Sequence, residues 1–299
     1  MKIDPPLRSF LFCPGNHARR VEKVFVSGAD AAILDLEDAV AVAEKPAARA
    51  QVLEALARPR SCAGYVRVNA LSTPFGREDL LKMPARGVDG ILLPKLDSIE
   101  ELEIADELIA EGEARHGLRE GSIRLIPMIE TARALARVEK ICAAAAEDFP
   151  RVRRFTFGAG DLALDLGMTV SPDEAELDYA RSRIVVASRA AGLQAPLDTV
   201  WFRLKDGEGF RALCAKTRRM GYVGKLCIHP DQVPVVNAVY APGADEVAFA
   251  QKVVDAFKAA EAQGLASIQV DGQFVDYPVV HRAQGILDAA AAYARPSGG

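Results

Sequence analysis

Short runs rich in β-branched and aromatic residues alternate with longer amphipathic stretches along most of the chain. That alternation is expected when parallel strands are joined by crossover helices. The pattern predicts eight strands, over 9–13, 31–36, 65–69, 90–94, 124–129, 154–158, 198–202 and 224–228. Between them lie helical patterns, of which 98–115 is typical. Ser98 and Glu101 have the spacing of a capping box, and Gly117 supplies a stop. Ile99, Leu102, Ile104, Leu108 and Ile109 gather on one face and Glu100, Glu101, Glu103, Glu107 and Glu111 largely on the other, so this helix covers a sheet. An open doubly wound sheet usually has fewer strands; eight strand–helix units predict a closed (β/α)₈ TIM barrel over residues 1–243.

The remainder, 244–299, exceeds what the eighth helix needs. It reads as a helix to about position 263, two β-like runs separated by Asp271-Gly272, and a last helix to about 293. Asp-Gly between such runs is a hairpin signal. A segment of this size buries little surface alone, so it is expected to pack on its own barrel or on a neighbouring subunit.

Composition narrows the partners. The 37 basic side chains against 41 acidic ones give a formal charge of −4 without a basic tract, which disfavours nucleic acid and anionic membranes and leaves small molecules. No apolar run reaches the roughly 18 residues of a membrane span, and the first apolar stretch is too short for a secretory segment. A cytoplasmic location is therefore expected. Cys13, Cys62, Cys142, Cys214 and Cys227 form no CxxC pair, and His17, His116, His229 and His281 form no HxxxH or HxH pair. A metal would have to be held by carboxylates.

Barrel enzymes carry their chemistry where the strands end. The polar residues at those positions are Asp35, Glu37 and Asp38, then Arg67 and Asn69, Lys95, Glu130, Asp161 and His229. Glu130 and Asp161 close adjacent strands and can converge on one ion. Two carboxylates plus water suit Mg²⁺, which keeps several open positions; the alternative is that each pairs with an arginine or caps a helix. Gly158-Ala159-Gly160 lacks the third glycine of a dinucleotide loop and reads as a tight turn that brings Asp161 forward. Tyr65, Arg67 and Asn69 alternate and so face the barrel interior, where a guanidinium needs an anion. That anion is either Asp35 or Glu37, or a substrate carboxylate or enolate oxygen. Lys95 and His229 are open to a binding role or to ordinary surface hydrogen bonding.

Several segments together carry a resemblance: RSFLFCPGN at 8–16, DAAILDLEDAV at 30–40, YVRVNA at 65–70, GILLPK at 90–95, LIPMIET at 125–131, FGAGDLALDLG at 157–167, GKLCIHP at 224–230 and DGQFVDYPVVHRA at 271–283. In this order they resemble the citrate lyase β-subunit family of the HpcH/HpaI aldolase superfamily, which includes malyl-CoA and citramalyl-CoA lyases. The resemblance implies a (β/α)₈ barrel with Mg²⁺ on Glu130 and Asp161. It implies Arg67 contacting the substrate, and Glu37 and Asp38 supporting the metal's water shell; Glu130 and Lys95 are further candidates for binding the substrate. It also implies a C-terminal lid over a neighbouring subunit's site, carrying Asp276 as acid/base group, in a homotrimer or hexamer. The phosphates of coenzyme A would lie near Arg19, Arg20 and Lys23, which could equally be a solvated helix face. The activity implied is cleavage of a 3-hydroxy-3-carboxyacyl-CoA thioester, such as malyl-CoA or citramalyl-CoA, into acetyl-CoA and a 2-oxo acid, or the reverse condensation. Alternatives are a citryl-ACP lyase subunit, a malyl-CoA thioesterase, and a non-catalytic acyl-CoA-binding or assembly protein.

Overall fold

The computed structural model describes residues 7–294. Eight strands close into a parallel barrel in chain order: β1 Ser9–Pro14, β2 Ala31–Asp35, β3 Ala63–Arg67, β4 Gly90–Leu93, β5 Arg124–Ile129, β6 Thr156–Phe157, β7 Leu197–Asp198 and β8 Gly224–Cys227. β8 returns to β1 through Ser9 opposite Lys225 and Leu11 opposite Cys227. The expected (β/α)₈ barrel is the fold. Its interior is filled by side chains from alternate strand positions, among them Phe10, Ile33, Tyr65, Leu92, Met128, Leu197 and Leu226. Helices cover the outside. The helix Ile99–Arg115 starts on Ser98, whose hydroxyl accepts the Glu101 N–H, whereas the Glu101 carboxylate reaches past Ser98 to the Asp97 N–H at 2.6 Å. Half of the predicted capping box is therefore formed as such.

Three strands differ from the sequence pattern by two or more residues at an end, the others by at most one. β3 leaves the ladder at Arg67, two residues early, so the alternation does not carry Asn69 to the side of Arg67. Asn69 instead binds Asp79 and Lys45. β6 and β7 keep two residues each, because beyond them side chains replace the ladder. The Thr199 hydroxyl accepts the Ala159 N–H at 2.9 Å and Gln232 Nε2 donates to the Trp201 carbonyl at 2.9 Å. Asp198 and Lys225 point away from the interior and form a fully buried ion pair, joined by Arg181 of the helix Asp178–Ala190 at 3.0 Å.

The chain divides into two compact units, one over Leu7–Asn237 and one from Ala238 onward. The second contains the helix Ala244–Glu261, the antiparallel hairpin of β9 Ile268–Val270 and β10 Gln273–Val275, and the helix Tyr277–Ala294. Asp271 and Gly272 both have positive φ, 48° and 80°, as a two-residue hairpin turn of this hand requires. Contrary to the expectation of little self-burial, the unit has its own core of Val253, Val254, Phe257, Val270, Val275 and Ala283, since the facing stripes of both helices and the hairpin cover one another. Among the described residues no helix is long and apolar enough to cross a membrane. All five cysteines are free thiols, and four of them are buried.

Candidate active site

A cavity of about 400 Å³ opens at the end of the barrel where the strands terminate, lined by Asp35, Asp38, Arg67, Glu130 and Asp161 together with apolar side chains such as Phe12 and Met128. These groups arrive from four strands, Asp35 and Asp38 from β2 and the others from β3, β5 and β6, so their convergence follows from the closed topology. Asp35, the last residue of β2, accepts the N–H groups of Glu37 and Ala39 and a two-pronged contact from Arg67, at 2.7 and 2.6 Å. Arg67 Nη1 lies 3.1 Å from Glu37 Oε2, and its guanidinium carbon stands 4.8 Å from the centre of the Phe12 ring. Burial opposes the arginine charge, but Asp35, Glu37 and Glu130 outweigh it and hold Arg67 above its ordinary range. The ion pair left open by the sequence is thus present, and the guanidinium it fixes also borders the cavity.

Lys95 follows β4 with a left-handed backbone, φ 50°, unusual for a residue with a β-carbon. Its ammonium donates to Glu37 Oε1 at 2.6 Å and lies 3.6 Å from both Asp38 Oδ2 and Asp161 Oδ1. Burial lowers the tendency of Lys95 to carry charge, yet Glu37, Asp38 and Asp161 together raise its pKa above the lysine range. Burial likewise pushes the Glu37 carboxyl up, against the pull of Arg67 and Lys95.

Glu130, just beyond β5, is 1% exposed. Its Oε2 accepts the Lys95 N–H at 3.2 Å, while the buried Oε1 has no hydrogen-bond partner among the described residues. Burial, with the charges of Glu37 and Asp161, pushes its carboxyl up to about 8, although Arg67 and Lys95 pull it down. Asp161 lies in the helix Ala159–Asp165 that follows β6, with its side chain about a third exposed. Gly158 packs on Glu130: a β-carbon there would lie 2.5 Å from Oε1. The glycine thus makes room for the Glu130 carboxyl, a role beyond the expected turn.

The donor set here matches the chemistry of Mg²⁺. An unpartnered buried carboxylate oxygen, a second carboxylate on the same cavity and room beside them fit a hard cation. Among the described residues no three His, Cys, Asp or Glu side chains form a group that could hold a metal ion; Mg²⁺ is commonly held by one or two carboxylates with water and substrate oxygens.

Other candidates are placed differently. Arg20 lines the cavity, whereas Arg19 and Lys23 are exposed on the helix Ala18–Phe25 and are not among its lining residues. His229 Nδ1 accepts the Asp231 N–H at 3.3 Å. Asp276 belongs to the C-terminal unit, where its Oδ1 accepts the Val279 N–H at 3.4 Å at the start of the last helix. Two supporting residues escaped the sequence reading. Lys45 is buried and donates to the carbonyls of Leu36 and Glu37 and to Asn69 Oδ1, at 2.8, 2.6 and 2.6 Å, fixing the turn that bears Glu37 and Asp38. Thr199 holds the turn before Asp161 through Ala159.

The profile described as HpcH/HpaI aldolase/citrate lyase matches residues 8–230. The chain is 39% identical over 287 residues to the citrate lyase subunit beta of Leuconostoc mesenteroides subsp. cremoris, covering 95% of this chain and 93% of the relative. It is 32% identical over 297 residues to human mitochondrial citramalyl-CoA lyase, covering 95% and 86%. The protein CitE of Mycobacterium tuberculosis, solved in complex with magnesium, acetoacetate and coenzyme A, superposes with a TM-score of 0.75 at 30% identity, over 96% of this chain and 98% of that one. With a barrel closed in chain order and a match spanning most of its length, the chain belongs to the HpcH/HpaI aldolase/citrate lyase family of carbon–carbon lyases.

Proposed function

We propose that the protein is a Mg²⁺-dependent lyase that cleaves a 3-hydroxy-3-carboxyacyl-CoA thioester, such as malyl-CoA or citramalyl-CoA, into acetyl-CoA and a 2-oxo acid, or joins them by a Claisen-type condensation. The observation that carries this reading is the unpartnered buried oxygen of Glu130 on the same cavity as Asp161 and Arg67. Glu130 and Asp161 would hold Mg²⁺, which supplies a Lewis acid for the oxygens of the 2-oxo acid. Arg67, locked by Asp35 and Glu37, presents a permanent charge to the oxyanion that develops on the thioester as the carbon–carbon bond breaks. Because its partners already fix it, little reorganisation accompanies that charge. Glu37 and Asp38 orient water and Lys95 at the cavity mouth. Asp276 returns a proton to the enolate carbon in cleavage and removes one in condensation. The C-terminal unit acts as a lid on a neighbouring subunit's site in a trimer or hexamer, excluding water from the enolate. Arg20 at the cavity, with Arg19 and Lys23 on the same helix, meets the coenzyme A phosphates.

The test is incubation of the purified protein, with and without Mg²⁺, with malyl, methylmalyl, citramalyl and citryl thioesters, followed by product identification. Acetyl-CoA with glyoxylate or pyruvate, formed only with Mg²⁺, is the expected result. Malate and free CoA without glyoxylate would replace the lyase by a thioesterase, and no product from any thioester would remove the proposed activity. The similarity to the Leuconostoc citrate lyase subunit favours a second reading, a citryl thioester carried on an acyl-carrier protein. Turnover confined to the carrier-bound citryl substrate would establish it.

A further inference from the structure

Lys95 serves the acidic mouth through two separate groups. Its N–H donates to Glu130 Oε2, and its ammonium occupies the space bounded by Glu37, Asp38 and Asp161. The left-handed backbone at Lys95 is a strained conformation kept at this spot and directs both contacts. The remaining oxygen of Glu130, buried and unpartnered, is then the atom the lysine leaves for another cation. Asp161 is claimed twice, by the ammonium at 3.6 Å and by whatever Glu130 receives. Two cations on one carboxylate repel each other, and Lys95 already hydrogen-bonds Glu37 at 2.6 Å, an anchor onto which it can withdraw from Asp161. Its flexible four-carbon stem permits that withdrawal without loss of its partner.

From this arrangement we infer that the Lys95 ammonium is a built-in counter-cation, which an incoming divalent ion must displace from Asp161 and which thereby weakens, and sets, the affinity of the Glu130–Asp161 pair for that ion. The inference rests on the reading that these two carboxylates hold the ion. It adds that a positive side chain beside the pair is retained at the expense of tight metal binding, keeping the ion exchangeable while balancing the acidic cluster when no ion is bound.

The experiment is calorimetric titration of the chelator-treated full-length protein with MgCl₂, without substrate. Wild type is compared with Lys95→Met, Lys95→Gly and Lys95→Arg. The methionine keeps bulk without charge, the glycine suits the left-handed backbone, and the arginine keeps the charge. Mg²⁺ affinity should rise at least tenfold in both Lys95→Met and Lys95→Gly and should not rise in Lys95→Arg. Mere damage to the site would weaken binding, so tightening is the distinguishing readout. Unchanged or weaker affinity in the two neutral variants, with wild type binding Mg²⁺, overturns the role of Lys95 alone. Wild type that binds no Mg²⁺ overturns the metal-site reading and this inference with it.

Discussion

Gly158→Ala isolates the space that Glu130 requires. Gly158 has φ −105° and ψ 101°, a region open to alanine, so the substitution introduces no backbone strain. The added β-carbon would stand 2.5 Å from Glu130 Oε1 and 2.9 Å from its Cγ and Cδ, where ordinary contact begins near 3.4 Å. The carboxyl group must therefore move by roughly 0.9 Å. It has little freedom to do so, because Glu130 is buried and its other oxygen is held by the Lys95 N–H. Overpacking of this kind costs about 1–3 kcal/mol, and a misplacement near 1 Å at a reacting centre commonly costs about 10²-fold in rate. Gly160→Ala is the matched control: its β-carbon meets only the Phe202 ring edge, at 3.4 Å, and it lies in a helix. Mg²⁺ titration by calorimetry and turnover of the accepted thioester should show at least a tenfold loss of affinity and about a hundredfold loss of rate for Gly158→Ala, with Gly160→Ala close to wild type. Equal behaviour of the two variants would refute the assignment of Gly158 to Glu130.

Lys45→Met removes the ammonium that ties the Leu36 and Glu37 carbonyls to Asn69; loss of such buried charged hydrogen bonds costs about 3 kcal/mol or more. Thermal denaturation should show this loss, and turnover should fall further in Lys45→Met than in a distant variant of equal stability. Asp198 is held below the ordinary aspartate range because Lys225 and Arg181 outweigh its complete burial. A depressed folded pKa contributes stability above the unfolded value near 4, and that stability is lost as pH falls through the folded value. Asp198→Asn should therefore be about 3–5 kcal/mol less stable than wild type near pH 7 by urea unfolding, with the gap narrowing below about pH 4; a gap independent of pH would show that the charge is not what matters. If the C-terminal unit completes a neighbour's site, mixed Arg67→Ala and Asp276→Ala proteins should regain activity that neither has alone, measured after refolding them together.

The strands were legible because short, nearly continuous apolar runs between longer amphipathic stretches are a local signal of buried parallel strands. β5, read as 124–129, occupies those residues, and Asp-Gly at 271–272 turns the hairpin because both residues accept positive φ. Glu130 and Asp161 were legible as cavity residues because a polar residue past an apolar run marks a strand end, and Arg67 because it alternates with Tyr65 within its strand. What failed depended on where the ladder stops. Alternation placed Asn69 beside Arg67, but β3 ends at Arg67, and Asn69 turns to Asp79 and Lys45. Lys45 sits near a helix start and reaches back to carbonyls eight and nine residues earlier, a contact without periodic signature. The role of Gly158 likewise exists only once β5 and β6 are neighbours. The pattern GAG showed that small residues were needed, but not that a glutamate required the space.

The charges around the mouth impose an order on binding. Asp35, Glu37, Asp38 and Asp161, with Glu130 once it gives up its proton, outnumber the bases beside them: Arg67 and Lys95 are already engaged by these acids, Lys45 is buried behind them on backbone carbonyls, and Arg20 lines the same cavity. A 2-oxo acid entering this cavity is itself an anion. One uncompensated carboxylate at about 4 Å opposes it by about 4 kcal/mol at an effective dielectric near 20, roughly a thousandfold in affinity. The same excess of negative charge attracts a divalent ion, which reverses the local balance before the keto acid arrives. Binding should therefore be ordered, cation first. Pyruvate or glyoxylate should show no measurable heat in calorimetry with the chelator-treated protein and should bind once Mg²⁺ is present. Asp161→Asn, which weakens the ion's seat, should lose keto-acid binding in parallel with Mg²⁺ binding. Tight keto-acid binding to the metal-free protein would show that Arg67 or Lys95 can be released from its acidic partners to receive the anion, and the electrostatic order argued for this site would fail.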